Sequence, residues 1–298
     1  MPAFASSAAS LRSLIAAGRM VVAPGAYDCI TARLIEQAGF AAAYMTGAGT
    51  SAAHGYPDFG LITMTEMVAN AKKIVDTIGI PLISDADTGY GNELNVYRTI
   101  QEFERAGVAG VHLEDQGFPK KCGHLDDKEI IPLDDYLAKI RAAASARRSK
   151  DFLLIARTDS RAVKGFEEAV TRSNAALAAG ADMVFLEAPQ TMIEIESVPK
   201  LVKGPCLLNV VQGGKTPAID MPTAEKFGYA LAIVPGLLVR TVLEACDEAL
   251  ASLKDTGRNP ETRQKTTVKQ YFNRFGAEDW DQRRTAYRGN APKKDAAE

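Results

Sequence analysis

Eight short apolar runs recur along the chain, most of them separated by stretches of helical spacing, and this alternation constrains the fold more than any other feature. The runs are MVVAPG (20–25), AAAYMTG (41–47), PLISDAD (81–87), GVHLEDQ (110–116), FLLIARTD (152–159), MVFLEAP (183–189), CLLNVV (206–211) and ALAIVPG (230–236). Segments such as LNVYRTIQEFERAG and FEEAVTRSNAALAAG lie between them. They carry apolar residues at helical spacing and end in glycine, the usual helix stop. Near-continuous apolar strands alternating with helices predict a parallel sheet covered on its faces by helices. Eight such units in 298 residues predict an α/β chain closed into a (β/α)8 barrel of the TIM type. A doubly wound open sheet is the competing architecture, but its first strand leads into a glycine-rich dinucleotide turn. APGAYDCITA supplies none.

A single barrel domain with a C-terminal helical extension is expected over residues 1–280. A polar, disordered tail is expected over 281–298, where DQRRTAYRGNAPKKDAAE is charged and nearly free of large apolar residues. Near the start, SLRSLIAAG reads better as an amphipathic first helix running into Gly18 than as a transit peptide. The 35 basic and 37 acidic side chains nearly cancel, which leaves no electrostatic footprint for nucleic acid or an anionic membrane surface. No apolar run reaches the ~18 residues of a membrane span. A small molecule is the expected partner.

Cys29, Cys122, Cys206 and Cys246 are scattered, with no CxxC pair, as in a reduced, cytoplasmic protein. Three of them sit in apolar helix or strand patterns and read as small core residues. Cys122 does not. FPKKCGHLDD (118–127) places it between two lysines and a histidine, in a stretch too polar for core.

The apolar runs share a second regularity, because polar residues gather at their C-terminal ends: Asp85 and Asp87, Glu114 and Asp115, Arg157 and Asp159, Glu187, and Asn209. In a β/α barrel those ends converge on the face that carries the active site. Carboxylates brought together there repel unless a cation neutralises them, so Asp85, Asp87 and Glu114 imply a metal. An all-oxygen set favours magnesium, with manganese next, over zinc. His112 lies inside a run and reads as a core histidine.

YMTGAGTSAAHGYPDFG, SDADTGYGN, VHLEDQ, KKCGH, ARTDS, LEAP and NVVQGGKTP together resemble the isocitrate lyase and phosphoenolpyruvate mutase superfamily, over about residues 8 to 255. KKCGH and the short chain look like its 2-methylisocitrate lyase, dimethylmalate lyase and oxaloacetate hydrolase group. The resemblance implies a magnesium-dependent barrel whose eighth helix is exchanged between subunits of a homotetramer. It assigns Asp85 to the metal, with Asp87 and Glu114 direct or through water. Thr46, Gly47 and Ala48 would cradle a substrate carboxylate, and Arg157 would pair with a carboxylate or alkoxide through its donor fork. Glu187 would complete the polar floor, while Gly123, His124 and Asn209 would hold the leaving part. Arg240 would meet an extra carboxylate, and Asp58 would gate the mouth. Tyr44 would hydrogen-bond the substrate, take a proton or simply pack.

Cleavage of a 2-hydroxy acid beside a second carboxylate leaves a carbanion, which must be protonated. A thiol of ordinary pKa, about 8.5, still holds its proton near neutral pH and releases it when cations stabilise the thiolate. Cys122 is the expected general acid, with Lys121 and His124 tuning it on a loop that closes over the site. Gln212 stands where such lyases usually carry glutamate, and Thr46 and Ala48 replace serine and glycine. These departures put the substrate in question. Oxaloacetate hydrolysis or decarboxylation is the alternative to carbon-carbon cleavage of a hydroxy acid, and phosphonopyruvate chemistry is a more distant one.

Overall fold

The computed structural model describes residues 6–261 and 265–288. Strands β1 (Val21–Ala26), β2 (Ala43–Met45), β3 (Leu82–Asp85), β4 (Gly110–Glu114), β5 (Leu153–Thr158), β6 (Met183–Leu186), β7 (Cys206–Asn209) and β8 (Leu231–Val234) form a closed parallel barrel in sequence order. Val21 opposite Leu231 closes the ring. The eight expected runs are these eight strands, and the expected barrel is the observed fold.

Strand side chains alternate between two cores. Ala23, Tyr44, Ile83, Ile155, Phe185, Leu207 and Ile233 pack inside the barrel. Their neighbours Met45, Leu82, Leu154, Val184 and Leu208 pack outward beneath the helices. The same period of two carries Asp85, Glu114, Arg157, Glu187 and Asn209 inward one step further along, which is why polar residues at the ends of apolar runs face one another. At the opposite end, the helix Ser7–Ala16 is capped by Ser6 and places Ala8 and Leu11 in the inner core, so the barrel is plugged there.

The chain divides into two compact units, one through residue 243 and one from 244. Residues 281–288, expected as part of a disordered tail, belong to the helix Ala277–Arg288. Its acidic residues Glu278 and Asp279 in the first turn and Arg288 in the last complement the helix dipole, so its charge pattern supports a helix without an apolar face. Residues 289–298 of the expected tail lie outside the described residues. Among the expected core cysteines, Cys206 is buried and Cys29 half-buried, but Cys246 is exposed on the long helix Leu237–Thr256. Among the described residues, no helix is long and apolar enough to cross a membrane.

Candidate active site

At the C-terminal ends of the strands lies a cavity of about 190 Å³, below the roughly 300–1,000 Å³ of sites for drug-sized ligands. Its ligand is therefore small. Tyr44, Thr46, Ala48, Asp58, Asp85, Cys122, Gly123, His124, Arg157, Glu187, Asn209 and Arg240 line it, as the sequence predicts. Phe185, Val211, Pro235 and Val239 add an apolar wall that sequence reasoning did not single out.

Arg157 is the electrostatic hub. Its Nη1 lies 3.1 Å from Glu114 Oε2, its Nε 2.9 Å from Asp159 Oδ2 and 3.8 Å from Glu187 Oε2. Burial works against this charge, but the three carboxylates hold the guanidinium well above its ordinary pKa. Burial likewise opposes ionisation of Glu187, yet Arg157 and His124 hold its carboxyl well below the usual range. Asn209 Nδ2 donates to both oxygens of Glu187 at 3.3 and 3.2 Å. The Lys215 N–H donates to His124 Nδ1 at 3.0 Å, which leaves the ring proton on Nε2, 3.0 Å from Glu187 Oε1. The turn formed by Gly213, Gly214 and Lys215 thus orients His124. Ala188, next to Glu187, has φ 54°, a strained backbone of the kind that aims side chains at functional sites.

Gly123 sits directly against this floor. A Cβ there would meet Arg157 Nη2 and would stand 2.6 Å from Glu187 Cγ. Gly123→Ala is therefore expected to push the cysteine loop off the floor and cut turnover by about 10²-fold, the size of loss that a 1 Å misplacement causes. The melting temperature should change little; steady-state kinetics and thermal unfolding measured side by side check both.

The three expected metal ligands meet at the ends of β3 and β4, but they are not a ready-made set. Among the described residues, no three His, Cys, Asp or Glu form a cluster that could hold a metal ion. Asp85 accepts from the Gly47 and Asp87 N–H groups at 3.3 and 3.0 Å and from the Tyr44 hydroxyl at 3.3 Å. Asp87 pairs with Lys120 at 2.8 Å, and Glu114 faces Arg157. Both Glu114 oxygens and Asp87 Oδ1 nonetheless lack a hydrogen-bond partner, so these ion pairs lie in contact without hydrogen-bond geometry. Burial drives Glu114 well above the carboxylate range, despite Arg157. Burial also drives Asp87 up to about 6, despite Lys120. Asp85 is held at about 2; burial opposes this, and His112, Lys120 and Arg157 outweigh it. At two of the three carboxylates burial thus outweighs the nearby cations, and the two Glu114 oxygens without a hydrogen-bond partner suit a hard divalent cation.

His112 is fully buried, as a core histidine should be, and burial lowers its pKa to about 4. It also reaches the site from beneath, with Nε2 2.7 Å from the Tyr44 hydroxyl. Burial and Asp85 push that hydroxyl well above its ordinary pKa. The hydroxyl thus holds its proton in this arrangement and donates to Asp85 at 3.3 Å.

The structure corrects the expected cradle at Thr46. Its N–H donates to the Ala26 carbonyl at 3.0 Å and is spent within the fold, whereas its hydroxyl only accepts from the Gly49 N–H at 3.3 Å and keeps its own O–H at the cavity wall. Gln212 is corrected as well: its side chain is exposed and does not line the cavity. Its carbonyl accepts from Arg240 Nη1 at 2.7 Å and holds that arginine at the mouth.

The cysteine loop also departs from expectation at Lys121, whose ammonium turns outward to the Asp127 carbonyl at 3.2 Å. The cation that enters the site is Lys120, 3% exposed, in close ion pairs with Asp58 and Asp87. The segment is irregular, so no periodicity in the sequence distinguishes the two neighbouring lysines. Burial pushes the Cys122 thiol up, and its contact with the His124 N–H only partly opposes this. Cys122 thus keeps its proton at neutral pH, as an acid must.

A small-ligand barrel with a carboxylate cluster, a buried arginine and a protonated loop cysteine at one mouth defines an enzyme of carboxylic-acid chemistry. Residues 11–254 match the Phosphoenolpyruvate phosphomutase family. The chain is 46% identical to 2,3-dimethylmalate lyase of Eubacterium barkeri, over 84% of this chain and 86% of that one. It is 40% identical to 2-methylisocitrate lyase of Aeropyrum pernix, over 92% and 88%. Solved structures of a 2,3-dimethylmalate lyase (TM-score 0.91, 39% identity, 99% of both chains) and of oxaloacetate acetylhydrolase with the inhibitor 3,3-difluorooxalacetate (TM-score 0.91, 37% identity, 96% and 99%) superpose on it. The chain belongs to the phosphoenolpyruvate mutase/isocitrate lyase superfamily and is a carbon-carbon lyase.

Proposed function

We propose that the protein cleaves a 2-hydroxy di- or tricarboxylate of the 2,3-dimethylmalate or 2-methylisocitrate kind to pyruvate or a related 2-keto acid and a second carboxylic acid. The observation that carries this reading is Cys122, a protonated thiol at the wall of the same cavity as Arg157 and Asp85. Magnesium, or manganese, would be held by Asp85, Asp87 and Glu114, and such a cation lowers the pKa of a neighbouring hydroxyl and stabilises the charge that develops there. Arg157 binds a substrate carboxylate and shares that charge. Breaking the C2–C3 bond converts the hydroxyl-bearing carbon to a ketone and leaves the electron pair on C3. The Cys122 Sγ–H supplies the proton to C3, and the proton lost from the hydroxyl restores the thiol through solvent, so the reaction needs no co-substrate. Lys120, pinned between Asp58 and Asp87, and the loop that carries it exclude water from the carbanion. The apolar wall of Val211, Pro235 and Val239 suits an alkyl substituent.

Proton NMR of the purified protein with magnesium and, separately, 2,3-dimethylmalate, 2-methylisocitrate and oxaloacetate tests this. Pyruvate with propionate or succinate, abolished by chelator and restored by magnesium, is the expected result. The similarity to oxaloacetate acetylhydrolase supports a second reading, which acetate and oxalate from oxaloacetate alone would establish at the first reading's expense.

The lyase is further proposed to be a cytoplasmic homotetramer. Its four free cysteines suit a reducing compartment. The 20-residue helix Leu237–Thr256 has no buried residue, and Leu243, Leu250 and Leu253 are exposed at spacings that share one face, as an exchanged helix requires. Light scattering should give the mass of four chains, and Leu243→Glu with Leu250→Glu should lower it; a monomeric wild type would end this reading.

A further inference from the structure

Residues 116–131 leave β4 and return to it as a closed loop. Gly117 N–H donates to the Glu129 carbonyl and Ile131 N–H to the Asp115 carbonyl, both at 2.9 Å, and these bonds form its neck. The buried Gln116 amide grips Lys121 from both sides, accepting from its N–H at 3.0 Å and donating to its carbonyl at 2.8 Å. Lys128 sits near the returning end of the loop with a side chain only 1% exposed. A buried ammonium is costly unless fully paired, and this one has two partners. Its Nζ donates to the Gly123 carbonyl, next to Cys122, and to Asp159 Oδ1 at 2.9 Å. Asp159 is fully buried at the end of β5, where it accepts from Arg157 Nε at 2.9 Å and Nη2 at 3.1 Å. Its N–H donates to Asp115 Oδ1 at 2.8 Å, which fixes it to the barrel.

We propose that Lys128 is a positioning residue, whose ammonium ties the carbonyl beside Cys122 to the carboxylate that orients Arg157. Closing the loop then sets the thiol and the guanidinium in register together. The contact is specific to the closed loop, because the Gly123 carbonyl and Asp159 belong to separate elements and only Lys128 spans them among the described contacts. The helix and strand contacts of the barrel do not depend on it. Loss of the ammonium should therefore loosen the Cys122–Gly123 segment, although Lys120 and His124 still hold the loop through Asp58, Asp87 and Glu187, and leave the barrel intact.

The cysteines provide the readout without any substrate, so the outcome is independent of which acid is cleaved. Alkylation by iodoacetamide, followed site by site by peptide mass spectrometry, reports loop opening at Cys122 and unfolding at Cys206, which is buried; Cys246, which is exposed, monitors the reagent. Lys128→Met should raise the Cys122 rate by about tenfold or more with Cys206 still protected, and Lys128→Arg should restore most of the protection. Removing a nearby cation raises a thiol's pKa and by itself slows alkylation, so acceleration reports access. A Cys122 rate within twofold of wild type, with Cys206 protected, would overturn the proposal. Should Lys128→Met expose Cys206, Lys128→Gln, which keeps an N–H for the Gly123 carbonyl without the charge, is judged by the same two rates.

Discussion

Cys122→Ala is expected to lower turnover by about 10²–10⁴-fold, the usual contribution of a positioned general acid. The Michaelis constant should stay close to wild type, because Arg157 and the carboxylate cluster that bind substrate do not depend on the thiol. The barrel should melt unchanged, since Cys122 is half-buried on a loop outside both cores. A second signature distinguishes lost acid catalysis from a displaced loop. In heavy water, cleavage of 2,3-dimethylmalate by wild type should place one deuterium on a single face of the propionate C2, because the proton comes from one fixed atom. Residual turnover by the variant should give both hands, because water then quenches the carbanion. The pH dependence follows from the same role. A general acid must hold its proton, so turnover is lost as pH rises through the Cys122 pKa, and burial moves that limb upward from the free-thiol value near 8.5. Full activity in Cys122→Ala, with single-handed deuterium, would remove the thiol from the mechanism.

The barrel and much of its site were legible because one physical rule generates both. A strand buried on two faces is apolar throughout, and the position where it emerges from the core is where polarity begins. Asp85, Glu114, Arg157, Glu187 and Asn209 each stand at that position, so convergence followed from strand count and period. The cysteine loop was legible only in composition. Which lysine faces inward depends on the Gln116 amide, which seizes both backbone groups of Lys121 and fixes its orientation; that bond spans five residues of irregular chain and has no periodic signature. The same holds for Lys120, whose partners Asp58 and Asp87 come from two other loops. The Thr46 N–H and the Gln212 side chain lie away from the cavity for reasons of local chain geometry. A hydroxyl beside a helix start is readily engaged by the local backbone, and Thr46 caps the helix Gly47–Ala53; Gln212 lies in a turn that leaves its side chain exposed and offers only its backbone carbonyl, to Arg240. The helix across 281–288 was missed because charge without an apolar stripe reads as tail unless its order along the helix axis is weighed.

Arg157→Met should have the largest effect on stability as well as on activity. The substitution keeps an apolar stem of similar length but leaves Glu114, Asp159 and Glu187, all nearly or fully buried, without the cation they share. Breaking a buried ion pair from one side costs about 3–5 kcal/mol. At roughly 2–4 °C per kcal/mol for a chain of this order of size, the melting temperature should fall by about 6–20 °C in chelator. The pH dependence identifies the cause. In wild type the Glu187 pKa is depressed, so its ion pair adds stability that is present above the unfolded value of about 4.3 and lost as pH falls through the folded one. Asp159 is lowered in the same sense; burial opposes this, and Arg157 and Lys128 outweigh it. The variant lacks this stabilisation, so the gap between the two melting curves should be widest near neutral pH and narrow progressively as pH falls below about 4, where the unfolded chain takes up protons that the folded wild type still refuses. A gap that stays constant across that range would point to lost packing instead of unpaired charge. Arg157→Lys separates binding from neutralisation. One ammonium returns a positive charge but cannot span three carboxylates as a planar fork does, so stability should recover in part while turnover remains low.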